Sequence, residues 1–192
     1  MPIDLINLVR ISLRTPDLAA EEVIGWQLGR DVLWMALALA AIIGTGLVVL
    51  ITELSGPAMV LPINISSPLA MFVVLAGTMV VYVHLLYWTG SALGGNGTLN
   101  DVLSVVIWFQ YLRILAQVTI VVVSLALPAL GLMLSLVIAG WGLWIFLNFL
   151  KIALKLGGLG HAFMVLVVSA VGLVLGLGVL MSLIGIGAQG VS

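Results

Sequence analysis

Residues 102–150 read VLSVVIWFQYLRILAQVTIVVVSLALPALGLMLSLVIAGWGLWIFLNFL. Two apolar runs, residues 102–127 and residues 129–150, flank Pro128, and each is long enough to cross a ~30 Å hydrocarbon core as a helix. Because proline has no amide hydrogen and restricts the residue before it, one helix must end and another begin at this point. The stretch therefore predicts a tight antiparallel pair of membrane-spanning helices.

Three further apolar runs of spanning length occur, at residues 32–52, 69–88 and 162–186. Every backbone polar group inside a bilayer must be satisfied within the protein, so helices are the structure to expect for all five runs. The sequence predicts an all-α polytopic membrane protein. We expect a five-helix transmembrane domain over residues 32–186, followed by a short tail at residues 187–192.

The composition agrees with this class of protein. Hydrophobic residues make up 64% of the 192 and charged residues only 7%, whereas a soluble domain carries roughly 25% charged residues. The absence of cysteine excludes disulfides, thiolate metal ligands and a cysteine nucleophile. The net charge of −1, with no basic run, predicts no nucleic-acid partner. The only histidines, His84 and His161, have no acid in their own helices, and we expect neither a metal nor a cofactor site.

Residues 1–31 predict a short amphipathic segment at the cytoplasmic membrane surface. Charged side chains are spread through this segment, which contains no apolar core of the kind that a signal peptide carries. Ile3, Ile6, Val9 and Leu13 recur at helical spacing. The triplet Thr15-Pro16-Asp17 is typical of a helix start, with a capping hydroxyl followed by proline and an acid. A docking face for a cytoplasmic partner is the alternative interpretation.

Lysine and arginine indicate the orientation. With the N-terminus in the cytoplasm, Arg10, Arg14, Arg30, Lys151 and Lys155 are all cytoplasmic, and the two outer connections contain no basic residue. Five spans then place the C-terminus outside.

A polar stripe on the third span is the main candidate site. Gln110, Arg113, Gln117 and Ser124 are spaced so that all four fall within ~60° on a helical wheel. At ~1.5 Å per residue, Arg113 lies ~16 Å from Val102, near the middle of the bilayer. Ionisable residues at such depth usually face the bundle interior. We expect Arg113 to be enclosed there, with Trp141 as a cation–π partner, either in a structural cluster or in a site for an anion or lipid headgroup.

Glycines supply two further candidates. Gly172 and Gly176 form a GxxxG pair, which predicts close helix packing within the bundle or with a second copy. Gly94, Gly95 and Gly97 precede Thr98 and Asp101, which have the spacing of a capping box. Because the loop lacks the Gly-Lys-Ser/Thr ending of a phosphate-binding loop, we interpret it as a turn that leads into a helix.

The segment WTGSALGGNGTLND (88–101), followed by VIWFQY (106–111), resembles bacterial members of the Yip1 domain family, and the tryptophans and Asn148-Phe149 after Pro128 continue the resemblance. It implies a five-helix bundle with a cytoplasmic N-terminus in the bacterial inner membrane. Eukaryotic relatives act in ER–Golgi vesicle traffic with Rab GTPases. That role is not expected here, because residues 1–31 lack the acidic-tyrosine-glycine-proline segment of those proteins.

Two functions are consistent with these features. The first is a non-enzymatic scaffold or accessory subunit, whose partners are the lipid bilayer and other membrane subunits or a second copy of the chain. The alternative is a small permease or channel in which the polar stripe lines a path for an anion or polar solute. An intramembrane enzyme would need a nucleophile or metal constellation that the sequence lacks.

Overall fold

The computed structural model describes residues 5–55 and 68–189, and within these ranges the chain is helical with no strand. Seven helices occur there: α1 (Leu5–Arg14), α2 (Pro16–Gly25), α3 (Arg30–Ser55), α4 (Pro68–Ala92), α5 (Leu99–Ala126), α6 (Pro128–Ala153) and α7 (Leu159–Gln189). The five long helices α3 to α7 are long and apolar enough to cross a membrane. The predicted all-α architecture with five spans and a short amphipathic N-terminal segment is confirmed.

Helices α5 and α6 form the tight hairpin that Pro128 predicts. Leu127 adopts an extended conformation, and Pro128 occupies the first turn of α6, where its missing amide hydrogen costs no hydrogen bond. Near this turn the two helices approach closely, because a Cβ atom built on Gly131 would overlap the side chain of Ser124. We expected a tail at residues 187–192. Instead α7 continues to Gln189, and residues 190–192 lie outside the described part of the chain.

The long helices form a ring. α5 packs between α3 and α6, α4 packs against α3 and α7, and α7 closes the ring against α6. α4 also contacts α5 across it. Within the ring α4 and α5 therefore have three helical neighbours each, and α2 adds a fourth neighbour to α5.

The buried core is concentrated at one end of the ring, which we term the capped end. In α5 the continuous run from Val102 to Trp108 is buried, and in α6 the buried residues gather near Lys151. In the opposite half of these helices large apolar side chains such as Leu125, Leu132 and Leu136 are exposed. Apolar helical surface of this extent is stable only in contact with lipid or another apolar surface.

Helices α1 and α2 cover the capped end. α2 packs on α6 and α5, and its buried face consists of Pro16, Ala19, Ala20 and Val23. The two helices meet at Thr15. The prediction that its hydroxyl caps α2 is wrong: the hydroxyl accepts no hydrogen bond from the first turn of α2 and instead donates to the carbonyl of Ile11 in α1 (3.4 Å). Pro16 does begin the helix, as predicted.

Candidate functional site

The side chains of the polar stripe differ in their burial. Gln110 and Gln117 are half-buried, Ser124 is half-buried against Gly131, and Arg113 is exposed. The stripe faces the α6 side of α5, because Phe109, ~40° from Arg113 on the helical wheel, packs on Phe146 with ring centroids 4.6 Å apart. The Oε1 atom of Gln110 is buried and accepts no hydrogen bond from the described residues.

Arg113 is an exposed residue of α5. Its guanidinium makes no hydrogen bond or ion pair with any residue in the ranges 5–55 and 68–189. Trp141, the expected cation–π partner, instead donates its indole N–H to the carbonyl of Leu13 (3.2 Å) and packs edge-on against Trp144. The physical reason is the uneven core: tight packing around α5 ends near Trp108, five residues before Arg113.

The glycine pair of α7 makes only ordinary contacts. A Cβ atom on Gly172 would lie 3.8 Å from Leu85 Cδ2, and nothing lies within 4 Å of a Cβ atom on Gly176. Gly172 thus packs on α4 without needing to be glycine for that contact. Gly176 faces open space on the described surface of α7.

The glycine-rich loop, by contrast, is built into the protein. The amide of Asn96 donates to the carbonyl of Leu154 (3.0 Å), which joins the loop to the end of α6. A Cβ atom on Gly90 or Gly95 would lie under 3.0 Å from atoms of Leu154, and one on Gly97 would overlap the carbonyl of Ala153. The loop backbone is therefore engaged in packing, which supports the turn interpretation.

The predicted capping box at the start of α5 is present. The amide of Asp101 donates to the Thr98 hydroxyl (3.2 Å), and the amide of Thr98 donates to the Asp101 carboxylate (3.0 Å). Two amides at the helix start are satisfied in this way, which fixes the direction in which the loop enters α5.

A buried polar contact holds the α1–α2 pair on the bundle. The Trp108 indole N–H donates to the Ser12 hydroxyl (2.9 Å), which donates in turn to the carbonyl of Leu8 (2.8 Å). Ser12 is fully buried and Trp108 is 8% exposed, and Trp26 packs edge-on against the Trp108 ring. Sequence reasoning missed Ser12; the available signal was a small polar residue on the face of α1 that Leu8 also occupies.

An ion pair also holds α2 on the spanning helices. Lys151 Nζ lies 2.6 Å from Asp17 Oδ2, which joins α6 to α2. The side chains are 23% and 42% exposed, so solvent screens the pair, and such pairs contribute ~0–1 kcal/mol. Its role is mainly to set the position of α2.

Several aromatic side chains lie in the capped half of the bundle. Trp34 of α3 stacks on His84 of α4, which packs against Trp88. Trp108 and Trp141 carry the contacts to α1 described above. Trp34, His84, Trp88 and Trp108 lie in the capped halves of their helices, and we term these four rings the aromatic belt; Trp141 lies at the middle of α6.

A cavity of about 410 Å³ lies where α1 and α2 face α3 and α5. Its wall is almost wholly apolar, and the two hydroxyl-bearing residues in it, Ser104 and Tyr111, donate to the carbonyls of Asn100 (2.8 Å) and Ala36 (3.1 Å). Within the described residues no group of three or more histidine, aspartate or glutamate side chains could hold a metal ion.

Comparison with known proteins identifies one family. The family model for the Yip1 domain matches residues 11–181, which is most of the chain. No curated protein matches, and no solved structure matches.

Proposed function

The chain belongs to the Yip1 domain family, and from this premise we propose that it is a non-enzymatic scaffold or accessory subunit of an assembly in the bacterial inner membrane. The observation that carries the proposal is the capped end. There, α1 and α2 are held on the spanning helices by the Ser12–Trp108 contact and the Asp17–Lys151 pair. A surface built on fixed helices presents side chains to a partner without an ordering cost at binding.

The exposed groups of this surface are mixed in charge. Glu21 and Glu22 of α2 are exposed, as are Arg10 and Arg14 of α1. We propose that this surface faces the cytoplasm. Arg30 and Lys155 lie at the same end of the bundle, and basic residues near span ends favour the cytoplasmic side.

The aromatic belt supports a position for the bilayer. Tryptophan and tyrosine favour the interface between lipid and water. The end of α5 at Ala126 is 18 residues after Trp108, or ~27 Å at ~1.5 Å per residue, close to the ~30 Å of a hydrocarbon core. With the belt at the cytoplasmic interface, Arg113 lies only ~7.5 Å inside it.

The depth of Arg113 supports a role for the polar stripe in positioning α5. Side chains on a helix lean toward its N-terminus, so the long arginine side chain can extend from Arg113 toward the interface and the headgroups. We propose that Gln110, Arg113, Gln117 and Ser124 position α5 in the bilayer.

We further propose that another subunit or a second copy packs on the open side of α7 at Gly176 and on the exposed apolar face of α6.

Site-specific photo-crosslinking tests the scaffold proposal. A photoreactive residue at Glu22 should capture a defined companion protein in intact cells. The same residue at Val122, exposed in the opposite half of α5 and outside the proposed contact faces of α6 and α7, serves as the matched control for the capped surface. Purification in mild detergent should then recover that companion in stoichiometric amount. A chain that yields no companion at Glu22 and purifies alone would refute the accessory-subunit role.

A further inference from the structure

The apolar cavity under α1 has no role in the function proposed above. Its wall includes Leu5 and Val9 of α1, Trp26, Ala36 of α3, and Ile107 and Leu115 of α5. Both hydroxyl groups in the wall are already engaged with backbone carbonyls. Of the two indole N–H groups in the wall, that of Trp108 bonds to Ser12, so a polar ligand would find only the Trp26 indole N–H as a free donor among the described lining residues.

The cavity extends from the aromatic belt toward the spanning part of the bundle. Trp26 and Trp108 line it at the belt, and Leu115 lines it ~10 Å further along α5. Leu5 and Leu115 are 55% and 53% exposed, so the cavity opens at the surface on the side where lipid contacts the helices. Its mouth thus lies at the depth where acyl chains meet headgroups.

Size and chemistry restrict the occupant. Protein interiors are packed to crystal-like density with few voids larger than a water molecule, so a space of about 410 Å³ open to lipid will be filled. Water is disfavoured because it needs two or more polar partners. A helix, ~10 Å across with its side chains, is too wide. The volume falls in the range of small-molecule sites, ~300–1,000 Å³.

Positive charge flanks the cavity. Arg10 follows the lining residue Val9, and Arg30 and Asp31 lie between the lining residues Leu28 and Leu33. Two arginines and one aspartate leave a net charge of +1 beside the cavity. Both arginines are exposed, and neither forms an ion pair with a residue in the described ranges. We propose that the cavity binds one acyl chain of an anionic phospholipid from the adjacent leaflet, whose phosphate lies against Arg10 and Arg30. The bound lipid completes the packing between α1 and the spanning helices.

Photo-crosslinking with a defined lipid tests this site. The full chain is reconstituted in phosphatidylcholine vesicles that contain a small fraction of phosphatidylglycerol with a diazirine near the end of one acyl chain. Irradiation and peptide mass spectrometry should find the label on α1 and on residues 107–115. Labelling is normalised to that of Val81, an exposed apolar residue of α4 outside the proposed contact faces.

Two matched pairs of variants decide the assignment. Ala36→Phe projects a ring into the cavity and should lower cavity labelling by about tenfold, because it displaces at least two methylenes of the chain. Ala38→Phe, at an exposed position of the same helix, should leave it unchanged. Val9→Phe with Leu13→Phe as its control repeats the comparison on α1 and decides the matter if Ala36→Phe does not fold. Equal labelling within both pairs would overturn the cavity site.

The headgroup is tested separately. The double variant Arg10→Gln with Arg30→Gln should lower cavity labelling by diazirine phosphatidylglycerol several-fold and leave labelling by the matching diazirine phosphatidylcholine unchanged. Equal yields from the two lipids in the unmodified chain would overturn the assignment of an anionic headgroup. Because crosslinking of this lipid does not depend on a companion protein, failure here and failure of the scaffold proposal give different results.

Discussion

Replacing Ser12 with alanine should loosen the α1–α2 pair by a measurable amount. Ser12 is fully buried, and its hydroxyl is the acceptor for the Trp108 indole N–H at 2.9 Å. Removal of the acceptor leaves that N–H buried without a partner, which costs ~1–3 kcal/mol. The hydroxyl also donates to Leu8 within α1, but the loss of that bond leaves a carbonyl that still accepts the helical hydrogen bond.

A double-mutant cycle isolates the contact. Trp108→Phe removes the N–H donor, so the pair Ser12→Ala with Trp108→Phe should cost less than the sum of the single changes. We expect a coupling of ~1–2 kcal/mol, within the range for side chains that share a hydrogen bond. Ser135→Ala is the control: that serine bonds only to Leu132 of its own helix near the surface, and its loss should stay within ~0.5 kcal/mol.

Two measurements report the effect. Thermal unfolding in mild detergent gives the change in stability, and hydrogen exchange shows where the protein opens. Ser12→Ala should raise exchange across α1 and α2 while the amides of α7, which does not carry this contact, stay protected. Single changes whose costs add within ~0.3–0.5 kcal/mol would show that the Ser12–Trp108 bond does not hold the pair, and the reasoning would be refuted.

Three further predictions concern the loop, the stripe and the orientation. Gly97→Ala should lower stability by ~1–3 kcal/mol, because its Cβ overlaps the carbonyl of Ala153. Gly158→Ala should leave stability unchanged, because nothing lies within 4 Å of a Cβ atom at that position. Equal melting temperatures of the two variants would contradict the packing role of the loop. Arg113→Leu should leave the melting temperature unchanged or slightly raised, since Arg113 is an exposed residue whose guanidinium has no ion-pair partner in the described part of the chain. A loss as large as that of Ser12→Ala would show a structural role. A reporter that is active only in the cytoplasm should give no signal when it is fused after Ser192, and a strong signal would contradict five spans with a cytoplasmic N-terminus.

Structural features that depend on residues close together in the sequence could be predicted from the sequence. The capping box needs only a hydroxyl at Thr98 and a carboxylate three residues later, and both bonds are formed. The break at Pro128 likewise depends on one residue. Thr15 shows the limit of this reasoning, because the end of α1 supplies a competing carbonyl at Ile11 and takes the hydroxyl.

Features set by packing were harder to anticipate. A helical wheel shows that Gln110, Arg113 and Gln117 share a face of α5, but it does not show where along the helix the neighbours stop packing. The same limit hid Ser12, whose importance depends on Trp108, 96 residues away. The close approaches of glycines occur in the loop at Gly90, Gly95 and Gly97 rather than at the GxxxG pair.

The sequence alone determined the class of protein, the number of spanning helices and the position of the hairpin. These depend on hydropathy and proline, which act residue by residue because the bilayer demands a fixed length of apolar helix. Only the tertiary structure decided that the core lies at the capped end, that α1 and α2 are fastened there, and that an apolar cavity remains beneath α1. Those outcomes depend on which surfaces from distant parts of the chain meet, and hydropathy carries no information about shape.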